Sequence, residues 1–323
     1  MIELSVIYAG IGFLLAAYSV IGNDSVQTLG TFIASNSRIF KWYWLWAAAS
    51  FVLIATITYG WYVNEGDISY GRLAKIPYEE IQWYHAAAPA VLVALTRFGV
   101  PVSTTFLVLS VFASTVVLEK MLVKSIVGYG LAAISAYILW MILSRFINEK
   151  FNKVRKEHRT YWRIAQWLAT GFLWFSWLSH DMANIAVFLP RQLSPVLLVA
   201  VLFVLVAGLA FIFKMEGGKI QKVVTEKTGS RFIRSATIID LVYACLLYFF
   251  KELNSIPMST TWVFVGLLTG RELAIATANR ENYHFKYVFP IIGKDFLKMI
   301  LGLSVSVALV LAVHYVIDPS AVE

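Results

Sequence analysis

Long apolar stretches dominate this chain, and short polar clusters interrupt them. Nearly unbroken apolar runs extend from Ser5 to Ile21, Trp42 to Val63, Ser125 to Phe146, Ile164 to Leu178, Pro195 to Phe213 and Phe296 to Val316. Each is close to the ~20 residues a helix needs to cross hydrocarbon, and each is apolar on all sides rather than alternating. The pattern therefore predicts membrane-spanning helices, not the strands of a barrel. Composition points the same way: of 323 residues, 59% are hydrophobic and 14% charged, with a mean hydropathy of +0.71, whereas soluble domains carry about 25% charged residues. That excludes a soluble enzyme.

The interruptions come in two matched pairs. Gly22-Asn23-Asp24 precedes Pro101-Val102-Ser103-Thr104-Thr105, and His180-Asp181 precedes Pro257-Met258-Ser259-Thr260-Thr261; Asp24 and Pro101 are 77 positions apart, Asp181 and Pro257 76. The register predicts a duplicated chain: a first transmembrane repeat over 1–150, a basic linker over 151–162 and a second repeat over 163–323. Loop charge sets their relative orientation, because cytoplasmic loops are enriched in Lys and Arg. Between Asn64 and Glu80 there are two basic residues against four acidic, whereas the equivalent loop from Lys214 to Arg234 has six basic against two acidic. The inter-repeat segment Arg145–Arg163 has seven basic against two acidic. Opposite bias in equivalent loops predicts inverted repeats, with both termini external in a plasma (inner) membrane.

The expected fold is thus all-α: a polytopic integral membrane protein with two inverted-topology repeats. Each repeat has a broken helix, a return span, a re-entrant helical hairpin and a final span. The first hairpin is expected from half-helices His85–Arg97 and Ser103–Val117, turning at Gly99-Val100-Pro101, and the second to turn at Asn254–Pro257; the alternative is that each pair crosses the membrane fully. Trp42, Tyr43, Trp44, Trp46 and the Tyr161-Trp162 pair stand at span ends, as an interfacial aromatic belt does.

The interruptions also carry the chemistry. An aspartate inside a membrane helix costs ~3 kcal/mol on insertion scales and usually faces a cavity. Gly22 can release the helix beside Asp24 and free backbone groups for an ion. Gln27 follows Asp24 by three residues and Asn184 follows Asp181 by three, so each pair shares a helical face and offers hard oxygen ligands suited to Na⁺ or a proton. Proline suits a first helical position, which puts Ser103 and Ser259 where backbone N–H groups are unsatisfied and the dipole is positive. Such an N-terminus binds a tetrahedral oxyanion, with the Ser and Thr hydroxyls as further donors; the alternative is that these hydroxyls cap helices and bond neighbouring spans.

These motifs resemble the inorganic phosphate transporter family, whose two repeats each carry a Gly-Ala-Asn-Asp-type signature and a Pro-Val-Ser-Thr-Thr segment. The resemblance covers nearly the whole chain. It implies an inverted-repeat anion permease that carries phosphate, or sulfate in some relatives, driven by Na⁺ or H⁺, and a homodimer. By motif position it implies a substrate site of Asn23, Ser103, Thr104, Thr105, Ser259, Thr260 and Thr261, and coupling-cation ligands Asn23, Asp24, Gln27, Asp181 and Asn184, with Na⁺ at Asp24 and Asp181. The chain departs from the family at Gln27, where Asn is common, at Ser179-His180, where Gly-Ala-Asn would lead into Asp181, and at Phe106 and Trp262, which replace a frequent His.

His180 and Arg97 are candidate modulators: the first beside a cation site, the second four residues before Pro101. Asp240 is expected to pair with Lys251 as a structural ion pair, and His85 and Glu119 to be solvated near the interface. No cofactor is expected beyond the coupling ion, and no zinc site, since His180 and Asp181 lack further ligands at suitable spacing. The formal charge of +8 lies in short loops that topology explains, so nucleic acid is not an expected partner. Cys245, the sole cysteine, can form no intramolecular disulfide, and Met1-Ile2-Glu3 lacks the basic start of a cleaved signal. The leading function is a non-enzymatic symporter for phosphate or a related oxyanion, working by alternating access. The alternatives are a sulfate permease of the same fold, a passive anion channel and an intramembrane enzyme with an Asp24/Asp181 dyad.

Overall fold

The computed structural model of the chain describes residues 3–97, 102–146, 158–216, 233–278, 285–313 and 317. Among them there is no β-strand; the elements are helices joined by short turns. In chain order they are α1 (Leu4–Ser19), a π turn (Val20–Asp24), α2 (Ser25–Asn36), α3 (Trp42–Val63), α4 (Trp83–Arg97), a second π turn (Thr105–Leu109), α5 (Thr115–Phe146), α6 (Arg159–Asp181), α7 (Ala183–Ala186), α8 (Pro195–Lys214), α9 (Ile233–Leu253), α10 (Thr260–Ala278) and α11 (Phe285–Ala312). Five stretches are long and apolar enough to cross a membrane: Leu4–Gly22, Trp42–Val63, Thr115–Ile142, Pro195–Lys214 and Val288–Ala312. The chain is a multi-pass membrane protein.

Local chemistry accounts for several boundaries. Ser194 caps α8 by accepting from Leu197 N at 3.3 Å, with Pro195 in the first turn, where its missing N–H costs nothing. Outward-facing Leu, Val and Phe side chains such as Phe51, Leu168, Val196 and Phe203 are more than two-thirds exposed, as lipid-facing positions are.

The helices pack in pairs: α1 on α4, α6 on α9, α3 on α8 and α6, and α5 on α10. The α5–α10 pair is the closest kind of contact two helices can make. A Cβ added at Gly266 would lie 2.3 Å from Tyr129 O, and one at Gly270 1.9 Å from Ala133 O. Gly266-x-x-x-Gly270 therefore lets one backbone lie on the other, the small-residue packing that replaces hydrophobic attraction in lipid.

Several expectations are corrected here. Gly22 does not unwind the first helix, which continues through a widened π turn. The oxygens such a turn would release are taken internally: Ser25 donates to Ile21 O, and Thr28 donates to Ser25 O at 2.8 Å. The half-helix expected over Ser103–Val117 is interrupted, its helical part being the π turn that closes at Ser110, after which α5 starts at Thr115. Because α5 is 32 residues long, or about 48 Å at 1.5 Å per residue, it starts ten residues before the expected span. The arms of the second hairpin, α9 and α10, have 21 and 19 residues, and neither is among the five stretches apolar enough to cross a membrane. Its tip does lie where expected, between Leu253 and Thr260.

Asp240 does not pair with Lys251. It accepts from Thr31 Oγ1 at 2.6 Å and Thr170 Oγ1 at 2.5 Å, while Lys251 bonds Glu252 at 3.0 Å. His85 is buried, not solvated: its ring stacks on Phe112 at 4.3 Å, and its Nδ1 accepts from Gln82 N at 2.9 Å. Glu119 is exposed, as expected. Pro101 and residues 151–157 and 217–232, which include parts of the two basic segments, lie outside the described residues.

Replacing Gly270 by Ala should force α10 away from α5 and destabilise the protein by about 1–3 kcal/mol, the usual cost of overpacking. A lower midpoint in thermal unfolding of the detergent-solubilised protein would show it, whereas Ala at Gly130, where a Cβ meets nothing within 4 Å, should leave the midpoint unchanged.

Candidate functional site

The polar motifs that are far apart in sequence meet in one buried cluster. Thr104 donates from Oγ1 to Asp24 Oδ2 at 2.5 Å. The next residue reaches the other aspartate: Thr105 Oγ1 donates to Asp181 Oδ1 at 3.4 Å. Asn184 Nδ2 donates both to Thr105 Oγ1 at 3.3 Å and to Asp181 Oδ1 at 3.0 Å. The two Ser-Thr-Thr segments also touch, through the Phe106 and Trp262 rings with centroids 5.5 Å apart. Asp24, Asp181, Asn184 and the six Ser and Thr residues of both segments are no more than 6% exposed, so the cluster is closed off from solvent.

Local structure explains how the side chains are aimed. Ser103 accepts at Oγ from Phe106 N, and Ser259 from Trp262 N, both at 3.2 Å. These matched caps satisfy one orphan N–H each and direct the following threonines inward. Ser259 N itself donates to Ser125 Oγ of α5 at 2.9 Å. Both serines thus cap their segments, and the hydroxyls that reach the carboxylates are those of Thr104, Thr105 and Thr260. Thr261 and Gln27 are buried. The side chains of Asn23 and Arg97 lie outside the described residues.

The Asp181 half retains unused oxygens. Asp181 Oδ2 and Asn184 Oδ1 are buried without a hydrogen bond, and the Thr260 hydroxyl stands within reach of the same carboxylate. Two unused hard oxygens from residues three apart suit an alkali cation better than a transition metal. His180 is turned elsewhere. Its Nε2 lies 2.6 Å from Leu247 O, so that nitrogen carries the proton and donates, and its buried Nδ1 is left as an acceptor without a partner.

Three residues of this centre have no motif to announce them. Tyr243 of α9 donates to Thr260 O at 2.9 Å and lies within electrostatic reach of both Asp24 and Asp181. Lys124 of α5 is 7% exposed and bonds the second hairpin tip. Arg72 comes from the loop after α3, where Asp67 receives Ser69 N at 2.6 Å and Gly71 N at 2.9 Å and Tyr70 and Gly71 adopt φ of 56° and 72°. That turn sends Arg72 inward, only 2% exposed, where Nε donates to Ser179 O at 2.8 Å. Burial pulls its pKa down to about 10, opposed by the Asp181 charge, so it is a cation at neutral pH. A loop arginine in the sequence carries only a charge count; nothing in its spacing reports that the turn is inverted.

Fold and site together define a multi-pass α-helical membrane protein with a buried polar centre between two Ser-Thr-Thr segments. No family model and no curated protein sequence matches the chain. Among solved structures the fold is similar to that of "The sodium-dependent phosphate transporter", with a TM-score of 0.62 over 97% of this chain and 100% of that one, at 17% sequence identity.

Thr105→Val should remove one bond from Asp181 and one from Asn184, because the hydroxyl donates to one and accepts from the other, while their direct bond remains. An expected loss of about 0.5–1.5 kcal/mol per bond, read as a lower thermal midpoint that Thr105→Ser restores, would check that this hydroxyl supports the pair.

Proposed function

We propose that the chain is a secondary active transporter of inorganic phosphate or a related oxyanion, driven by Na⁺ or H⁺. The observation that carries the proposal is the junction of Thr104 with Asp24 and Thr105 with Asp181. One short segment holds the carboxylates of both halves, so whatever neutralises those carboxylates acts on the hydroxyls beside them. The fold shared with a sodium-dependent phosphate transporter supports the same reading.

Electrostatics supplies the coupling. A multivalent oxyanion entering beside Asp24 and Asp181 would be repelled by both in a medium of low dielectric. A bound cation or proton removes that repulsion, so anion and cation would bind together and be carried together. Asp181 Oδ2 and Asn184 Oδ1 would take Na⁺ in one half, and Asp24 with Asn23 and Gln27 would do so in the other. Ser259, Thr260, Thr261 and Ser103 would complete the donor set for the anion.

The proposed architecture is two inverted repeats, 1–150 and 163–323, on either side of the basic linker, with external termini in a plasma membrane. The packing of elements supports it. The pairing of α1 with α4 in the first half recurs as α6 with α9 in the second, and that of α5 with α10 recurs as α11 with the π turn at Thr105–Leu109.

Reconstituted protein should take up labelled phosphate when an inward Na⁺ or H⁺ gradient is imposed, and the two gradients applied separately identify the ion. Asp24→Asn keeps the size of the side chain and an acceptor for Thr104 but removes the charge, so it should abolish gradient-driven uptake while the protein remains folded in size-exclusion chromatography. Undiminished cation-driven uptake in that variant would sink the proposal.

A further inference from the structure

The tip of the second hairpin, 254–257, is held by two buried basic side chains. Lys124 Nζ donates to Asn254 O at 3.2 Å, Asn254 Oδ1 at 2.8 Å and Ile256 O at 2.8 Å. From the other side Arg72 Nη1 donates to the same Ile256 O at 3.4 Å. Three residues beyond Ile256 the chain enters Ser259-Thr260-Thr261, so the clamp closes the segment that leads into the buried polar centre.

The ligands of this clamp are all neutral oxygens. Neither Lys124 nor Arg72 makes an ion pair among the described residues, and the two stand near enough to repel one another. Asp181 and Glu252 act on Arg72 only through space. Buried cations are normally paired, because desolvation costs several kcal/mol per ion; here neutral carbonyl oxygens serve instead. A hydrogen bond from a cation to an anionic oxygen is about twice as strong as a neutral one. Beside the clamp an open cleft is lined by Glu119, Lys120, Val123, Lys124, Asn254 and Ile256, so the Lys124 side of the tip is accessible from outside the protein.

We propose that Lys124 forms an oxyanion-binding site at the mouth of the second hairpin, with Arg72 as the buried charge behind it, in which the tip carbonyls are stand-in ligands that an arriving anion displaces. An oxyanion in the cleft takes the Lys124 donors, Asn254 is released, Ile256 O keeps only its 3.4 Å bond from Arg72, and the tip swings free of Ser259-Thr260-Thr261. The anion thereby opens its own way to the central cluster. The site rests on the transport proposal above only for the identity of its ligand.

A single reporter at the tip tests this. Ser255 is half-buried, and full-length protein carrying Ser255→Cys in a Cys245→Ser background can be placed in phosphatidylcholine vesicles and labelled with a maleimide fluorophore. Inorganic phosphate, compared with chloride at equal ionic strength, should speed labelling by about fivefold or more, the low end of ordinary coupling between sites. Adding Lys124→Gln should make labelling fast with either anion, and Lys124→Arg should restore the dependence on phosphate. An unchanged rate in the parent overturns the proposal whether or not any variant folds, and so does a Gln variant that stays slow or still responds to phosphate. Phosphate uptake in the same vesicles separates the two ideas. Uptake without a change in labelling leaves the transporter and removes this site, whereas faster labelling without uptake leaves the site and removes the transporter.

Discussion

Hydrocarbon offers no hydrogen-bond partner, so each polar group that this chain carries to membrane depth has to find one within the protein. Hydroxyl groups do most of that matching. Thr104 and Thr105 serve Asp24 and Asp181, Thr31 and Thr170 serve Asp240, and Ser25 and Thr28 take up carbonyls in and around the first π turn. A hydroxyl is small, rotates freely and can both donate and accept. It can satisfy a carboxylate without contributing a charge of its own, which leaves the carboxylates able to respond to an ion.

This requirement shaped how much could be read from the residues. Five long spans, the second tip and the buried carboxylates follow from apolar run length and from the cost of a membrane aspartate, whereas the Ser103–Val117 half-helix does not form as one element. The meeting of both aspartates with one Ser-Thr-Thr segment was expected only as a general convergence; that consecutive threonines would divide between them depends on the π turn, which no periodicity reveals. Arg72 and Lys124 were illegible for another reason. Their burial is decided by the Asp67-anchored turn and by the 32-residue length of α5, and a charged residue next to an apolar run looks the same whether it faces headgroups or the interior. Asp240 bonds elsewhere because of distance: Lys251 stands eleven positions further along the chain, and two Thr hydroxyls on other helices are nearer.

The halves are also less alike than their motif spacing implies. After Asp24 the chain continues as the twelve-residue α2, whereas after Asp181 only the four-residue α7 follows. In the first half Asp24 sits at the end of a continuous π turn, while in the second Arg72 fills the end of α6 by binding Ser179 O. The departure at Ser179-His180 therefore coincides with a resident cation, and the two carboxylates stand in different fields despite their matched spacing in the sequence.

The contact of Gly266 and Gly270 with Tyr129 O and Ala133 O constrains how such a molecule can move. Helices touching backbone to backbone have no side-chain layer in which to slide, so α5 and α10 behave as one lever, although one belongs to the first half of the sequence and the other to the second. That lever carries Lys124 and Ser125 at one place and the Thr260-Thr261 start of α10 at another. A body that moves as a unit therefore need not follow the midpoint of the sequence. This one is built from both halves of the chain, α5 from the first and α10 from the second.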